Sequence, residues 1–506
     1  MKRFKNVLLL LLAIATVLCA FGCGEKNQPS DQSTEITTER PAETGEYAEY
    51  LSSFETVKYE EIREFEVAVP EVDTGSYFCL SCEETPNGAQ VHDSLLSRDN
   101  ALYELHGIDV RYRGFPANDD GKTLRQTVQN EIMSDLETSD MIGGGLNYCI
   151  IPLNDLGLLY PINNAPYVTF EYPWWASYFI DSVTYRGKVT YASSMALGPG
   201  FFGAPYSMIC NLNLQKQGIY LPDGTPMDIF ELVESGEWTL DVFYDIIRDY
   251  SKDLNSDGKI SPLQDLLAYA YVPTTVTACC HYFAAGMKLS EKDAEGNLVV
   301  NLAEEKVVNC VDRLQTIFAS VSDNSNWDAT YWENQLNIFK QDHALFFGNS
   351  MTYLSGLVEM HSDYAIIPLP KADAEQKSYY TGINTWTSAY IAVPKRVADP
   401  KFLGQSLELM GYYSWKYVRP VVYDRVISLR LARDERQLAI MDVIYSTLYT
   451  DLNFIHNFAG SADILATCVM DANQSYATKI AGIKETLPIK LQIFDRDMKK
   501  AYGNDS

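Results

Sequence analysis

The chain is poor in the groups that most often declare a chemistry. Its 6 histidines (His92, His106, His281, His343, His361, His456) never fall at metal-ligand spacing. It contains no HExxH, no GxSxG nucleophile elbow, no P-loop and no GxGxxG fingerprint, which removes the enzyme classes that depend on them. Its 10 cysteines are too irregularly spaced for a disulfide framework in so long a chain. Cys79 and Cys82 form a CxxC without a second pair at zinc-ribbon distance, so most cysteines read as small buried apolar groups. Basic residues are also scarce. With 40 Lys and Arg against 67 Asp and Glu, the net charge of −27 argues against nucleic acid and against electrostatic binding to anionic lipid. Beyond residue 20 no run of 18 apolar residues occurs, so no later segment reads as a membrane span.

The N-terminus is rich where the rest is poor. Lys2, Arg3 and Lys5 precede an apolar stretch from Val7 to Ala20, and Ala20-Phe21-Gly22 leads into Cys23. That is the layout of an export signal, residues 1–22, ending in a sequence that resembles a bacterial lipobox. Cys23 is accordingly the expected lipidation site, acylated (palmitate), with the mature chain held on the extracellular face of the cell membrane. Residues 23–56 then carry Ser, Thr, Pro, Gln and Glu with almost no aliphatic side chains. Such a composition cannot bury enough surface to fold and predicts a disordered tether.

The remaining 450 residues exceed one compact core and predict two or more lobes. From Phe65 onward, strand-like and helix-like segments alternate, as in α/β proteins. Glu66–Val69, Tyr77–Leu80, Ile108–Tyr112, Ala365–Leu369 and Tyr390–Val393 read as strands. Val91–Leu105, Leu124–Leu136 and Pro400–Tyr413 read as helices. Trp238-Thr239 with Phe243 predicts a helix start with a hydrophobic staple, and Asn301 with Glu304 predicts a capping box before a helix to Ala319. Tyr185-Arg186-Gly187-Lys188 reads as a hairpin turn between alternating runs, Ser182–Tyr185 and Val189–Ala192.

Two features carry site chemistry. Asp253, Asn255, Asp257, Lys259 and Ser261, with Gly258 at the sixth place, space oxygen ligands as a calcium-binding loop does. Gln264 stands where the bidentate Glu belongs, and Asp265 comes one residue late. Structural calcium and a metal-free Asx turn both remain open; no other cofactor is required. The second feature is aromatic: 34 tyrosines, with tryptophans beside them at Trp174-Trp175, Trp327, Trp332 and Trp415. An aromatic-lined cleft with a few polar groups is what saccharide rings need, since their C–H faces stack while their hydroxyls seek polar partners. Core packing accounts for many of these rings as well.

Several segments, taken in order, resemble the extracellular solute-binding proteins of family 1, the sugar-capturing lipoproteins of ABC importers in Gram-positive bacteria. They are Glu84–Asp93, Ser139–Gly143 through Gly157-Leu-Leu159-Tyr-Pro161, Pro173-Trp174-Trp175, Tyr185–Tyr191, Glu234–Asp241 with Asp253–Gly258, Ala344–Phe347, Ala365–Lys371 and Ala392–Lys395. The resemblance implies an α/β, two-lobed fold of the type II periplasmic-binding-protein kind, closing by hinge motion on a mono- or oligosaccharide and docking on ABC permease subunits. It implies no catalysis.

It places lobe I at 57–165 and 364–413 and lobe II at 166–363 and 414–506. The Gly145–Tyr148 loop would then offer Asn147 and Tyr148 to the cleft. Tyr206 and Asn349 would face it from the second lobe, Trp386 would sit near the hinge, and Trp175 of the PWW segment would stack on ligand. Bare Gly143-Gly144-Gly145 and Cys210 depart from the usual pattern. A surface glycoside hydrolase, with two carboxylates across a cleft, and a solute sensor or adhesin using the same fold without a transporter stay open as alternatives.

Overall fold

The computed structural model describes residues 57–70, 89–116, 121–262, 264–321, 331–357, 360–386, 390–422 and 435–503. Cys23, the 23–56 stretch, the CxxC and the strand expected at 77–80 lie outside them. The strands are β1 (Arg63–Pro70), β2 (Ile108–Phe115), β3 (Met141–Gly144), β4 (Tyr191–Ala192), β5 (Tyr206–Asn211), β6 (Leu267–Tyr271), β7 (Glu291–Lys292), β8 (Leu298–Val299), β9 (Ala344–Ser350), β10 (Tyr364–Ile367), β11 (Thr381–Gly382), β12 (Tyr390–Ala392) and β13 (Leu448–Tyr449).

Two sheets organise the chain, in the orders β2-β1-β3-β12-β4 and β10-β5-β9-β6. In the first, β1 runs parallel to β2 and β3, while β12 is antiparallel to β3 and β4. In the second, β5 is antiparallel to β9 and β10, and β6 is parallel to β9. The side-chain period of two explains why β1 is apolar on successive positions. Phe65, Val67 and Val69 enter one core with Trp174 and Leu403, and Ala68 enters another with Leu124, Ile150 and Phe179. The second sheet has a core of its own around Trp238, Phe243, Tyr269 and Phe346.

Local signals set many helix ends. Thr239 Oγ1 accepts from Val242 N at 3.4 Å, and the Trp238 and Phe243 rings meet at 5.6 Å, so the expected staple forms. Pro400–Tyr413 is helical as expected, capped by Asp399. The Asn301 capping box does not form. That helix begins one turn later, at Glu305 behind Glu304 with no side-chain cap, yet Val307, Val311, Leu314 and Phe318 are buried as their spacing predicts. Ser182 and Val183 end a helix, Ser177–Val183, rather than opening a strand, while Tyr185 and Lys188 bridge each other across the expected turn.

The expected points of exchange between lobes need correction. Tyr191–Ala192 pairs with β12 in the first sheet, so the chain does not leave that lobe at Pro166. Tyr364–Ile367 pairs with β5, so it does not return there at Asp363. Trp415 and Val418 pack in the first lobe's core, and the final helix, Thr486–Tyr502, buries Phe494 and Met498 against Leu153, Phe179 and Tyr185 of that same lobe. Crossing segments are bound together. Pro205 bridges Ile383, Asn384 N donates to Ala204 O at 2.8 Å, and β11 pairs with β13.

Candidate ligand-binding site

The carboxyl ends of parallel strands are where α/β sheets expose loops to ligand. In the first sheet β3 ends at Gly144, and the chain enters a widened helical turn, Leu146–Ile150. Leu146, Cys149 and Ile150 face the core. Asn147 and Tyr148 are thereby left on the outer side, and Tyr148 is 38% exposed. Its ring meets that of Trp386 edge to face, with centroids 4.8 Å apart, and Trp386 is 42% exposed. Lys122 Nζ lies 5.3 Å from the Tyr148 ring centre, and Arg125 donates to the Tyr148 carbonyl at 3.2 Å.

Trp386 is held by the hinge. Its backbone N–H donates to Asn384 Oδ1 at 3.0 Å, and Asn384 Nδ2 reaches Ser350 Oγ at 3.5 Å, at the end of β9. Asn349, the residue before, is buried and lies opposite Ser207 in the β5–β9 register. Asn147 Oδ1, Ser207 Oγ and Asn349 Nδ2 are shielded from solvent with no hydrogen-bond partner in the protein, as is Ser193 Oγ just beyond β4. An unpaired buried polar atom costs about 1–3 kcal/mol, so such atoms are rare in a core and informative beside a cleft. Of the six residues expected to touch ligand, Asn147, Tyr148, Trp386 and Asn349 therefore border the hinge. Ser193, Ser207 and Asn384 join them. Serine and asparagine are too common for their pattern to have announced it.

The other two are interior. Trp175 is 3% exposed, donates its indole N–H to Glu408 Oε1 at 2.9 Å and packs edge to face on Phe170. Tyr206 is 2% exposed, and its hydroxyl donates to Gly348 O at 2.9 Å and pairs with Thr277 Oγ1 at 3.0 Å. Both rings were misassigned because a stacking ring and a core ring have the same composition.

The Asp253 loop closes on its own backbone. Asp253 Oδ1 accepts from Ser256 N at 2.6 Å and its Oδ2 from Gly258 N at 2.8 Å, while Asp257 Oδ1 accepts from Lys259 N at 2.9 Å. Asn255 Nδ2 donates to Gln264 Oε1 at 3.2 Å. Asp265, the displaced carboxylate, is buried and accepts from Ser261 N and Leu254 N at 2.7 and 2.8 Å. Those N–H groups, led by that of Ser261, hold its carboxyl below the usual range. Each oxygen of that carboxylate thus accepts one backbone N–H. We expect Asp253→Ala to lower stability by about 1–2 kcal/mol, equally in calcium and in EDTA. A melting curve of the parent that shifts upward with calcium would overturn the metal-free account.

No family model matches the chain, and no curated protein matches it. Solved structures do. The galacto-N-biose/lacto-N-biose I-binding protein of an ABC transporter from Bifidobacterium longum, in complex with lacto-N-biose, is similar over 87% of this chain and 99% of its own, at 14% identity and a TM-score of 0.55. A cyclo/maltodextrin-binding protein complexed with maltotetraose is similar over 88% and 99%, at 12% identity and 0.53. The cyclic α-maltosyl-1,6-maltose binding protein of Arthrobacter globiformis follows over 87% and 100%, at 11% identity and 0.52. At such identities the likeness defines the fold. This chain has the mixed α/β, two-lobed architecture of periplasmic binding proteins of the maltose-binding kind. No helix among the described residues is long and apolar enough to cross a membrane.

Proposed function

We propose that this protein is the solute-capturing lipoprotein of an ABC importer and that its lobes close on a mono- or oligosaccharide. The observation that carries the reading is the exposed Tyr148–Trp386 pair at the hinge, together with Asn147 Oδ1 and Asn349 Nδ2, two shielded atoms without hydrogen-bond partners in the protein. Exposed aromatic rings in contact offer faces for the C–H side of a sugar ring, and a shielded amide oxygen and amide N–H without partners offer hydrogen bonds to its hydroxyls. Sugar-binding proteins with the same fold support this use of the cleft. The protein does no chemistry on its ligand. Closure selects the solute, and partner permease and ATPase subunits supply transport.

Thermal melting of residues 57–506 against a glycan panel that includes lacto-N-biose and maltotetraose tests this directly. A ligand that binds the folded state at 100 times its Kd adds roughly 2.7 kcal/mol of stability. The glycan should be recovered unchanged. No shift with any saccharide would refute sugar capture, and cleavage products would favour a surface glycoside hydrolase.

The membrane part of the proposal rests on Cys23, which would anchor the protein to the outer face of the cell membrane through its lipid. One acyl chain alone holds only marginally, and more than one anchors stably. Cys23→Ala should move the protein from the membrane fraction to the medium. Retention of the variant in the membrane would remove the lipid anchor from this account.

A further inference from the structure

The aromatic pair at the hinge is flanked by positive charge, in a chain whose net charge is −27. The parallel pairing of β1 with β2 and β3 sets the carboxyl ends of these strands along one edge of the first sheet. At that edge β3 runs into the turn that carries Tyr148, and the segment after β2 leads into the helix Lys122–Met133. The start of this helix meets the Tyr148 turn. Arg125 Nη1 donates to the Tyr148 carbonyl at 3.2 Å, and Lys122 Nζ lies 5.3 Å from the centre of the Tyr148 ring. Lys122 is exposed and Arg125 half-buried.

Arg125 differs from its neighbours in what it pairs with. Arg63, Arg98, Arg111, Arg113 and Arg396 of the same lobe each reach a carboxylate, on Asp399, Asp99, Asp109, Glu131 and Asp135 respectively. Among the described residues no carboxylate pairs with Arg125, and its one bond to a backbone carbonyl leaves most of its N–H donors to solvent or ligand.

The rest of the site is equally short of negative charge. Carboxylates are the strongest acceptors a protein can offer to the hydroxyls of a neutral sugar. The chain has 67 acidic residues to draw on, yet Asn147, Tyr148, Ser207, Asn349, Asn384 and Trp386 include none. Asn349 Nδ2 is a shielded donor still without an acceptor. Donors beside stacking rings suit a sugar that brings its own negative charge. Guanidinium is well matched to such a group, because its planar fork engages two oxygens of one anion at once. The acidic outer surface does not forbid this. At physiological salt, charges more than about 8 Å away are largely screened, so a guanidinium in contact outweighs them.

We propose that the captured glycan is acidic, its uronate carboxylate or sulfate ester bound by Arg125 while its ring stacks on Tyr148 and Trp386. This rests on the sugar-capture reading and adds to it the class of sugar and the residue that selects it. Titration calorimetry tests it with matched pairs that keep the ring and remove the charge. The pairs are oligogalacturonate and oligoglucuronate, each beside its methyl ester, and sulfated beside unsulfated lactose. The charged member should be favoured at least about tenfold, and less so in high salt. Preference in the uronate pairs identifies the carboxylate as the group bound, and preference in the lactose pair identifies the sulfate. Arg125→Gln should abolish the preference while affinity for the neutral member stays within about twofold. A residue that merely propped the Tyr148 turn would weaken both members alike. Arg125→Lys, which keeps the charge and loses the fork, should retain part of the preference. Equal affinity within the pairs, binding of neutral saccharides alone, or a preference that survives Arg125→Gln would overturn the acidic-sugar assignment and leave sugar capture standing. Failure of every saccharide to bind would overturn both.

Discussion

A Tyr148→Ala/Trp386→Ala double variant should bind every glycan that stabilises the parent at least about 100-fold more weakly, while its ligand-free melting temperature falls by only a few degrees. The two halves of this expectation have one cause. Both rings are large and more than a third exposed, and they meet edge to face. Truncation in the free protein therefore removes one edge-to-face contact of about 0.5–1.5 kcal/mol together with the buried share of each ring. In the complex the same rings would be covered by ligand. Losing two such anchors costs roughly 1.5–3 kcal/mol each, and about 1.4 kcal/mol corresponds to tenfold in affinity. Trp175→Phe should behave in the opposite way, lowering the melting temperature and leaving affinity unchanged, because its indole serves Glu408 and not the cleft. Titration calorimetry on parent and variants checks all of this. Unaltered affinity in the double variant would place the binding surface elsewhere.

Elements written in local sequence were legible. The Trp238 staple, the Pro400–Tyr413 helix and the Leu124, Val128, Ile132 part of the expected stripe depend on neighbours within a turn or two and are found, while Leu136 lies exposed beyond the helix end at Met133. Sheet membership was not. Tyr364–Ile367 is plainly a strand, but its apolar run reads the same whether it pairs with β5 or with β3, and only the long-range register decides. The candidate site divides in the same way. Asn147 and Tyr148 came from the family resemblance alone, by their position after Gly143-Gly144-Gly145, and the loop they occupy follows the end of β3. Trp175 could not be placed, because an aromatic ring in sequence does not reveal whether a carboxylate 233 residues later receives its N–H. One signal was available. Glu408 is a lone carboxylate in the otherwise uncharged run Phe402–Tyr413, and a charge so placed is buried with partners or it breaks the helix packing.

Glu408 should accordingly dominate the stability of the first lobe, with a pH dependence whose sign distinguishes two physical accounts. Its carboxyl is fully buried; Oε1 accepts from Thr169 N at 2.6 Å and Trp175 Nε1 at 2.9 Å, and Oε2 from Trp174 Nε1 at 2.5 Å. Glu408→Ala leaves these donors without acceptors and opens a hole beneath both indoles. We expect a loss of about 3–5 kcal/mol near pH 5. Glu408→Gln is subtler. Burial pushes the Glu408 carboxyl from 4.5 up to about 8, against the downward pull of the three N–H donors. The folded state then holds a proton that the unfolded state has lost between those two values, and the folded state loses its advantage as pH rises through that window. The slope is at most about 1.4 kcal/mol per pH unit. Glutamine mimics the protonated acid, so the variant should match the parent near pH 5 and gain on it steadily toward pH 8. Taking the difference between parent and variant in urea unfolding cancels the titration of every other group. If the three donors instead outweighed burial, the carboxylate would stay ionised in the fold and the parent would gain on the glutamine variant with rising pH. The sign of that single difference decides whether desolvation or the indole and backbone N–H groups control this buried charge.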